Sequence, residues 1–318
     1  MSAPEIRLAM LGMIEGNGHP YSWSAIVNGY DPEKMKNCPY PVIAQYLGKQ
    51  PIESVRISGA RVTHVWTDNP EDAPSVAAAS KIEKIVSKPE DVIGKVDAII
   101  IATDDGNDHV SRVAPFIEAS LPVFVDKPMA INLPDLKQFI AWQKAGAKIL
   151  STSGMRYMPE MKTISERHEE IGELRWITSF TCKSWERYGI HALEAVSPQV
   201  GPGFVSAQTN HQNGSDIVHL AHRTGVQITI AAIHDAYGSF GAVHIYGTKG
   251  QLALKLTDTY TAFRAQLVGF IDLLIAKKSP VAFEETVELM AIIIAGIRSR
   301  EQNGRVVLLE EIYSDLKN

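Results

Sequence analysis

Short apolar runs alternate with helical patterns through the first half of the chain. The run VDAIIIA at residues 96–102 is continuously apolar, which is typical of a parallel strand that is covered on both faces. Further strands are predicted at residues 6–11, 62–66, 122–125 and 148–151, and helices at residues 71–80, 109–119 and 133–145, with another beginning near residues 22–27. This alternation predicts an α/β domain with a parallel, doubly wound sheet.

One stretch interrupts the alternation. The segment between the first glycines and the second strand is longer than a minimal βαβ unit needs, and it contains Pro39, Pro41 and Pro51. Because proline breaks regular structure, these residues predict an inserted loop with a short helix.

The pattern changes after about residue 156. Strands are predicted at residues 174–182, 216–223, 226–233 and 242–246, and helices at residues 262–276 and 287–302. Turn signals lie at residues 224–225 and 247–250, and consecutive strands joined by tight turns favour an antiparallel sheet. We therefore expect two domains, residues 1–153 and residues 154–318, the second of the α+β class.

Composition narrows the possible functions. The chain has 318 residues, a formal net charge of −5 and no cluster of basic residues, so it offers no electrostatic case for binding nucleic acid or an anionic membrane. Cys38 and Cys182 form neither a disulfide framework nor a metal-ligand spacing, and we expect no metal site. The first ten residues lack the pattern of a signal peptide, and no apolar run is long enough to span a bilayer. A cytoplasmic protein is expected.

A glycine-rich segment follows the first predicted strand. Its candidate cofactor-binding residues are Gly12, Ile14, Gly16, Asn17 and Gly18. Glycines let the backbone approach a pyrophosphate, and the following helix N-terminus supplies positive partial charge. The spacing is not G-x-G-x-x-G, because Ile14 stands where the second glycine is expected. A glycine-rich β–α turn without a ligand explains the segment equally well.

Further candidates follow the ends of other strands. Asp68 comes just after the second strand, where a carboxylate binds the adenosine ribose and repels a 2′-phosphate. Because no arginine stands beside it in the sequence, we expect NAD rather than NADP. A turn aspartate is the alternative, since Asn69 and Pro70 follow. Thr103 and Asp104 end the VDAIIIA strand at the ligand-binding edge, and His109 follows as a cofactor-binding candidate or a packing residue.

Ordered motifs carry a specific resemblance. The segment VFVDKP at residues 123–128 resembles the strand–Glu-Lys-Pro signature of the Gfo/Idh/MocA family, named after glucose–fructose oxidoreductase and inositol dehydrogenase. Ala102-Thr103 with His109 is similar to that family's A-T-P-x-x-x-H stretch. The remaining similarities are RYMP at residues 156–159 to R-(F/Y)-x-P, IGEL at 171–174 to I-G-x-(I/L), and GTKG at 247–250 to G-T-x-G.

The resemblance implies a Rossmann domain, a second domain with a large open-faced sheet, NAD or NADP, and a sugar-like or polyol substrate. The chain departs from the family at the glycine loop and at Asp126, a cofactor-site candidate that replaces the signature glutamate. The family's frequent D-x-x-x-H pair is also changed, because Arg187 precedes His191 where the aspartate usually stands.

Three residues are candidates for the chemistry. Lys127 follows Asp126 at the edge of the sheet, where its charge can stabilise a developing alkoxide beside the cofactor. His191 is the candidate general base, since the imidazole pKa is ordinarily close to neutral pH. Tyr188 either donates a hydrogen bond or only packs.

The substrate-binding candidates are Arg156, Arg187 and Glu194. The two arginines can bind a substrate carboxylate or phosphate, or serve as structural ion-pair partners. Glu194 can orient His191 from one helical turn away.

Three functions fit these residues. The leading one is a dehydrogenase that transfers a hydride between NAD and a carbinol carbon of a sugar, cyclitol or sugar derivative. The second is a redox-neutral enzyme whose tightly bound NAD oxidises and re-reduces one substrate during elimination or hydrolysis. The third is a non-catalytic NAD-binding regulator, which Lys127 and His191 argue against and which the missing aspartate at position 187 keeps open.

Self-association is also expected. Ile228, Ile230 and Val243 alternate along the predicted strands of the second domain. In a domain with few helices, one apolar face of the sheet is left exposed, which predicts a homodimer or homotetramer.

Overall fold

The computed structural model describes residues 5–317, which form two compact units. The first comprises residues 5–126, 141–151 and 263–280, and the second comprises residues 127–140, 152–262 and 281–317. Residues 1–4, part of the segment that lacks a signal-peptide pattern, lie outside the described residues. The domain boundary at residues 153 and 154 stays a prediction.

A six-stranded parallel sheet forms the centre of the first unit. Its strands are β1 (Ile6–Leu11), β2 (Ala60–Trp66), β3 (Lys84–Ile85), β4 (Ala98–Ile101), β5 (Val123–Val125) and β6 (Ile149–Leu150). The strand order is β3-β2-β1-β4-β5-β6, so the chain winds outward in both directions from β1. Every residue of β4 and β5 is buried, as a sheet covered on both faces requires. The predicted doubly wound sheet is confirmed.

Six helices belong to the first half of the chain. They are α1 (His19–Asn28), α2 (Pro32–Met35), α3 (Pro41–Leu47), α4 (Ala73–Ala79), α5 (His109–Glu118) and α6 (Leu133–Lys144). The inserted segment contains α2 and α3, and each begins with a proline. Proline favours the first helical position because its fixed φ suits the helix and the N–H that it lacks would be unbonded there.

The second unit contains a seven-stranded mixed sheet. Its strands are β7 (Leu174–Cys182), β8 (Phe204–Gln212), β9 (Ser215–His222), β10 (Gln227–Ile233), β11 (Ala242–Gly247), β12 (Gln251–Lys255) and β13 (Val307–Leu308). The order is β12-β11-β7-β10-β9-β8-β13, and every neighbouring pair except β7–β10 is antiparallel. The expected fold class, with its mostly antiparallel second sheet, is thus confirmed.

The remaining helices follow β6 in the chain. They are α7 (Lys162–Glu166), α8 (His168–Ile171), α9 (Trp185–Val200), α10 (Thr259–Ala276), α11 (Phe283–Glu301) and α12 (Leu309–Lys317). Helices α9 and α11 pack on one face of the second sheet. No helix between residues 5 and 317 is long and apolar enough to cross a membrane.

The two faces of the second sheet differ in chemistry. One row of register partners is buried and apolar, and it consists of Ala207, Leu220, Ile228, Ile177, Ile245 and Leu252. The next row across the strands is polar and faces outward, and it consists of Gln208, His219, Thr229, Thr178 and His244.

This arrangement corrects one expectation. Ile228, Ile230 and Val243 do not form an exposed apolar face, since their exposed fractions are 1%, 0% and 0%. Strand alternation shows that these residues share a face, but it does not show which face the helices cover.

Candidate functional site

The glycine loop leaves no room for side chains at two positions. Gly12 follows β1 with a φ of +93°, and a Cβ there would lie 2.7 Å from Thr103 Cγ2. A Cβ on Gly18 would lie 2.6 Å from Tyr40 Cδ2, so a residue of the inserted segment packs directly on the loop. Gly16 has a φ of +77°. Helix α1 then begins at His19, with Gly18 at its N-cap and no acidic residue in its first turn.

A buried polar network fixes this loop to the strand ends. The Asn17 amide donates to the carbonyl of Ala102 and to Asp126 Oδ2, both at 3.1 Å, and Asn17 Oδ1 accepts from the backbone N–H of His19. His19 Nδ1 lies 2.6 Å from the same Asp126 oxygen. The backbone N–H of Asn17 donates to the carbonyl of Ile14, which closes the turn. Asn17 and Asp126 therefore shape the loop.

Asp68 follows β2 and is engaged on both carboxylate oxygens. Oδ2 accepts from the backbone N–H of Met13 at 2.9 Å, and Oδ1 lies 2.7 Å from Arg112 Nη2. Arg112 also pairs with Asp108. Burial works to lower the pKa of Arg112, but its hydrogen bonds with the two aspartates outweigh that effect and raise it.

The expectation that no arginine stands beside Asp68 is wrong, because the fold brings Arg112 next to it. Arg112 comes from the first turn of α5, 44 residues further along the chain, so the residues that follow Asp68 in the sequence could not show it. The carboxylate side chain is still 30% exposed. Each oxygen has two lone pairs, so both can accept a further hydrogen bond from a ribose.

Thr103, Asp104 and His109 are all completely buried. His109 Nε2 lies 2.8 Å from the carbonyl oxygen of Thr103, so the first residue of α5 is fixed to the end of β4. This contact agrees with the packing interpretation of His109, and the cofactor-binding roles of the three residues stay predictions.

The first unit fits a dinucleotide on its own geometry. A cavity of about 220 Å³ opens at the carboxyl ends of β1, β2 and β4, where Leu11, Trp66, Ile101 and Arg112 line it. Ligands of open α/β sheets bind at this edge, where the strand order reverses. The α1 terminus, with no acidic residue in its first turn, is suited to a pyrophosphate, and the exposed Asp68 carboxylate is suited to a ribose.

The proton-handling candidates lie together in the second unit. Lys127 is only 3% exposed, and its Nζ lies 5.1 Å from the centroid of the Tyr188 ring. The Tyr188 ring meets the His191 imidazole edge to face, with the ring centroids 4.8 Å apart. Tyr188 and His191 belong to α9, and Lys127 enters the unit as the residue after Asp126. The structure thus brings the three candidates to one place.

Ser153 connects His191 to Glu194. Ser153 Oγ lies 2.7 Å from His191 Nδ1 and accepts from the backbone N–H of Met155. Glu194 Oε1 accepts from the backbone N–H of Ser153, and its other oxygen accepts from Arg156. Glu194 therefore positions Ser153, and Ser153 contacts the imidazole. The expectation that Glu194 orients His191 stays a prediction, with Ser153 in contact with both residues.

Arg156 has several protein partners. Its guanidinium donates to Glu194, to Ser197 Oγ at 3.2 Å and to Glu285 at 3.3 Å. Burial raises the pKa of Glu194, and the charge of Arg156 opposes that rise. Both residues are therefore engaged in structural contacts, and their substrate-binding roles stay predictions. Arg187 lies one turn before His191 on α9, and its role also stays a prediction.

Comparison with known proteins finds a family match for part of the chain. Residues 44–153 match an oxidoreductase family with an NAD-binding Rossmann fold, Gfo/Idh/MocA. The matched range includes Thr103, His109 and the Asp126-Lys127-Pro128 signature, so the resemblance drawn from the sequence motifs is confirmed.

Individual proteins extend the comparison. Over 104 residues the chain is 32% identical to inositol 2-dehydrogenase of Rhodococcus erythropolis, and the match covers 32% of this chain and 30% of that protein. Crystal structures of scyllo-inositol dehydrogenase from Lactobacillus casei and myo-inositol 2-dehydrogenase from Lactobacillus plantarum are each 14% identical, with TM-scores of 0.73 and 0.72. They cover 98% and 96% of this chain and 100% and 99% of their own, and at this identity they show the shared fold.

The sequence motifs did not indicate three residues that contact the candidate residues. Arg112 pairs with Asp68, Ser153 contacts His191, and Lys183 donates a hydrogen bond to Tyr188. Arg112 and Asp108 have the i,i+4 spacing of a helical ion pair, which is the only sequence signal among them. The Arg112–Asp68 and Ser153–His191 contacts join positions that are far apart in the chain, whereas Lys183 and Tyr188 are close in sequence.

Proposed function

We propose that this protein is an NAD-dependent oxidoreductase that transfers a hydride between the nicotinamide and a carbinol carbon of a sugar, cyclitol or sugar derivative. The observation that carries the proposal is the cluster of Lys127, Tyr188 and His191 in the second unit. The match of residues 44–153 to a family with an NAD-binding Rossmann fold supports the cofactor class.

Lys127 and His191 have different roles in the proposed oxidation of a carbinol. Oxidation of a carbinol removes a hydride from carbon and a proton from oxygen, and leaves a carbonyl group. NAD⁺, when bound, supplies the acceptor for the hydride. The Lys127 ammonium donates a hydrogen bond to the substrate oxygen and stabilises the negative charge that develops on it, an effect that its burial strengthens.

His191 removes the hydroxyl proton in this proposal. Ser153 fixes the ring through Nδ1, and the proton is accepted at Nε2, the nitrogen remote from Ser153. In the reverse direction the same nitrogen returns the proton to the oxygen of the reduced product.

Replacement of Lys127 or His191 tests these two roles. Lys127→Met removes the charge at similar length, and His191→Ala removes the base, so each is expected to lower turnover by about two to four orders of magnitude. NADH affinity, measured by fluorescence titration, is expected to change far less, because the glycine loop and Asp68 belong to the other unit.

The exposed Lys148 provides a matched control, and Lys148→Met is expected to turn over at the normal rate. Normal turnover in either site variant would show that the wrong residue was chosen, with Tyr188 as the next candidate. NAD that copurifies in stoichiometric amounts and does not exchange during turnover would favour the redox-neutral enzyme.

A further inference from the structure

Lys183 occupies an unusual backbone position beside the proposed site. It lies between the end of β7 and the start of α9 with a φ of +59°. Residues other than glycine seldom adopt this left-handed conformation, and they keep it where surrounding contacts impose it. Here the backbone N–H of Lys183 donates to the carbonyl of His234, and Ser184 caps α9. The local fold thus fixes the origin of the lysine side chain.

The Lys183 side chain is directed onto Tyr188. Its Nζ donates to the Tyr188 hydroxyl at 2.8 Å and lies 4.1 Å from the ring centroid. An ammonium group has no lone pair to accept with, so the phenol oxygen is the acceptor and the phenol proton is directed elsewhere. Among residues 5–317, no carboxylate lies within ion-pair distance of Lys183, and no side chain or carbonyl accepts the Tyr188 hydroxyl proton.

Three other charged residues lie near this pair. Lys127 approaches the same ring, and Arg187 follows in the first turn of α9. The acidic residue of that turn, Glu186, is paired with Arg300. Lys183 and Tyr188 therefore offer two hydrogen-bond donors 2.8 Å apart, one of them charged.

Only an acceptor group can satisfy both donors at once. An ionised carboxylate accepts through two adjacent oxygens and donates nothing, whereas each hydroxyl of a neutral cyclitol brings a proton that needs its own acceptor. We propose that Lys183 and Tyr188 bind a carboxylate of the substrate, which makes the substrate an acidic sugar or polyhydroxy acid. This inference rests on the proposed function, because it places the carboxylate beside Lys127 and His191.

Binding measurements with matched ligands test the inference without turnover. Gluconate, glucuronate and tartrate are compared with glucose and myo-inositol by calorimetry in the presence of NADH, and glucose 6-phosphate represents the other common source of an anionic group. At least one carboxylate is expected to bind about tenfold or more tightly than its neutral counterpart. Because a charged hydrogen bond contributes about 1.5–3 kcal/mol, Lys183→Met is expected to weaken that binding by about ten- to a hundredfold.

Controls separate charge from structure. Lys183→Arg is expected to keep most of the preference for the acid, Tyr188→Phe to lose part of it, and Lys84→Met, at an exposed position in the first unit, to leave it unchanged. Lys183→Met is expected to weaken acid binding far more than neutral binding. Equal weakening of both classes, or no acid that binds better than its neutral counterpart, would overturn the inference. Tighter binding of the sugar phosphate than of every carboxylate would overturn the assignment of a carboxylate.

The inference and the proposed function fail in different ways. If acids bind through Lys183 but no hydride reaches NAD⁺, the carboxylate site stands and the dehydrogenase does not. If only neutral polyols bind and are oxidised, the dehydrogenase stands and the carboxylate site does not.

Discussion

At the scale of single residues, the Asp68 carboxylate forms an ion pair with Arg112, so a negative and a positive charge lie at this position. The pair lies 2.7 Å apart and is partly exposed, with 21% of the arginine side chain accessible. An aspartate in this position repels a 2′-phosphate, whereas a neighbouring guanidinium attracts one. We expect the carboxylate to determine the cofactor preference and to favour NAD, because Arg112 is also neutralised by Asp108.

Fluorescence titration with NADH and NADPH tests this balance. The wild type is expected to bind NADH more tightly. Arg112→Met is expected to raise the preference for NADH by up to about fivefold, which is the range of a partly exposed ion pair. Asp68→Ala is expected to weaken NADH binding and to remove the preference. A wild type that binds NADPH as tightly as NADH would contradict the assignment.

The order of residue types along the chain predicted where several candidate residues lie in the fold. The strand-end rule placed Asp68 and Thr103 at the sheet edge, and the motif match placed Lys127 and His191. The partners of these residues were not predictable, because a hydrogen bond between Ser153 and His191 joins positions 38 residues apart. Nothing in the local sequence distinguishes such a serine from any other.

At the scale of helices and strands, Trp185 explains how α9 and α11 pack. The indole is completely buried, and its Nε1 donates to the carbonyl of Ile293 in α11 at 3.0 Å. Gly189 lies on one side of the ring, where a Cβ would come within 2.5 Å of Trp185 Cε3. Gly296 faces the indole from α11, and a Cβ there would also collide with it. The two glycines make space for one large ring.

Gly296→Ala is therefore expected to destabilise the second unit. Overpacking of a well-filled core costs about 1–3 kcal/mol, which is larger than the gain in helix propensity from alanine. Urea unfolding followed by tryptophan fluorescence measures the change. Gly238→Ala is the matched control, because a Cβ at Gly238 meets no atom within 4 Å. Equal midpoints for the two variants would contradict the packing account.

Element prediction succeeded where hydrophobic periodicity was strong. The apolar strands β1, β4 and β10 were predicted, but β8 and α9 were not. Strand β8 carries Gln208, Asn210 and Gln212 on its exposed side, so its alternation has little hydrophobic contrast. Helix α9 contains Gly189 and Pro198, which weaken the helical signal although the tertiary packing requires the helix.

At the scale of the whole molecule, self-association remains a prediction with a new structural basis. The outer face of the second sheet carries Trp176, which is 42% exposed and stacks on Tyr246 with the ring centroids 5.1 Å apart. Exposed aromatic residues within a polar surface are typical of protein interfaces. This face, and not the buried row of isoleucines, is the candidate contact surface.

Sedimentation at micromolar concentration is expected to give twice or four times the 34.9 kDa of the chain. Trp176→Asp is expected to shift the protein towards the monomer, because it places a charge in the contact surface. Val42→Asp, at a position of 60% exposure in the first unit, is the control and is expected to change nothing. A wild type that sediments as a monomer would exclude the oligomer.

Hydride transfer is the central claim, and deuterium transfer measures it most directly. The protein is incubated with NAD⁺ and a panel of carbon-deuterated sugars, cyclitols and sugar acids, and deuterium in the nicotinamide is measured by mass spectrometry. The account predicts deuterated NADH from at least one member, with the signal lost in Lys127→Met. Tight NAD⁺ binding with no deuterium transferred from any member would contradict the dehydrogenase and favour a nucleotide-binding regulator.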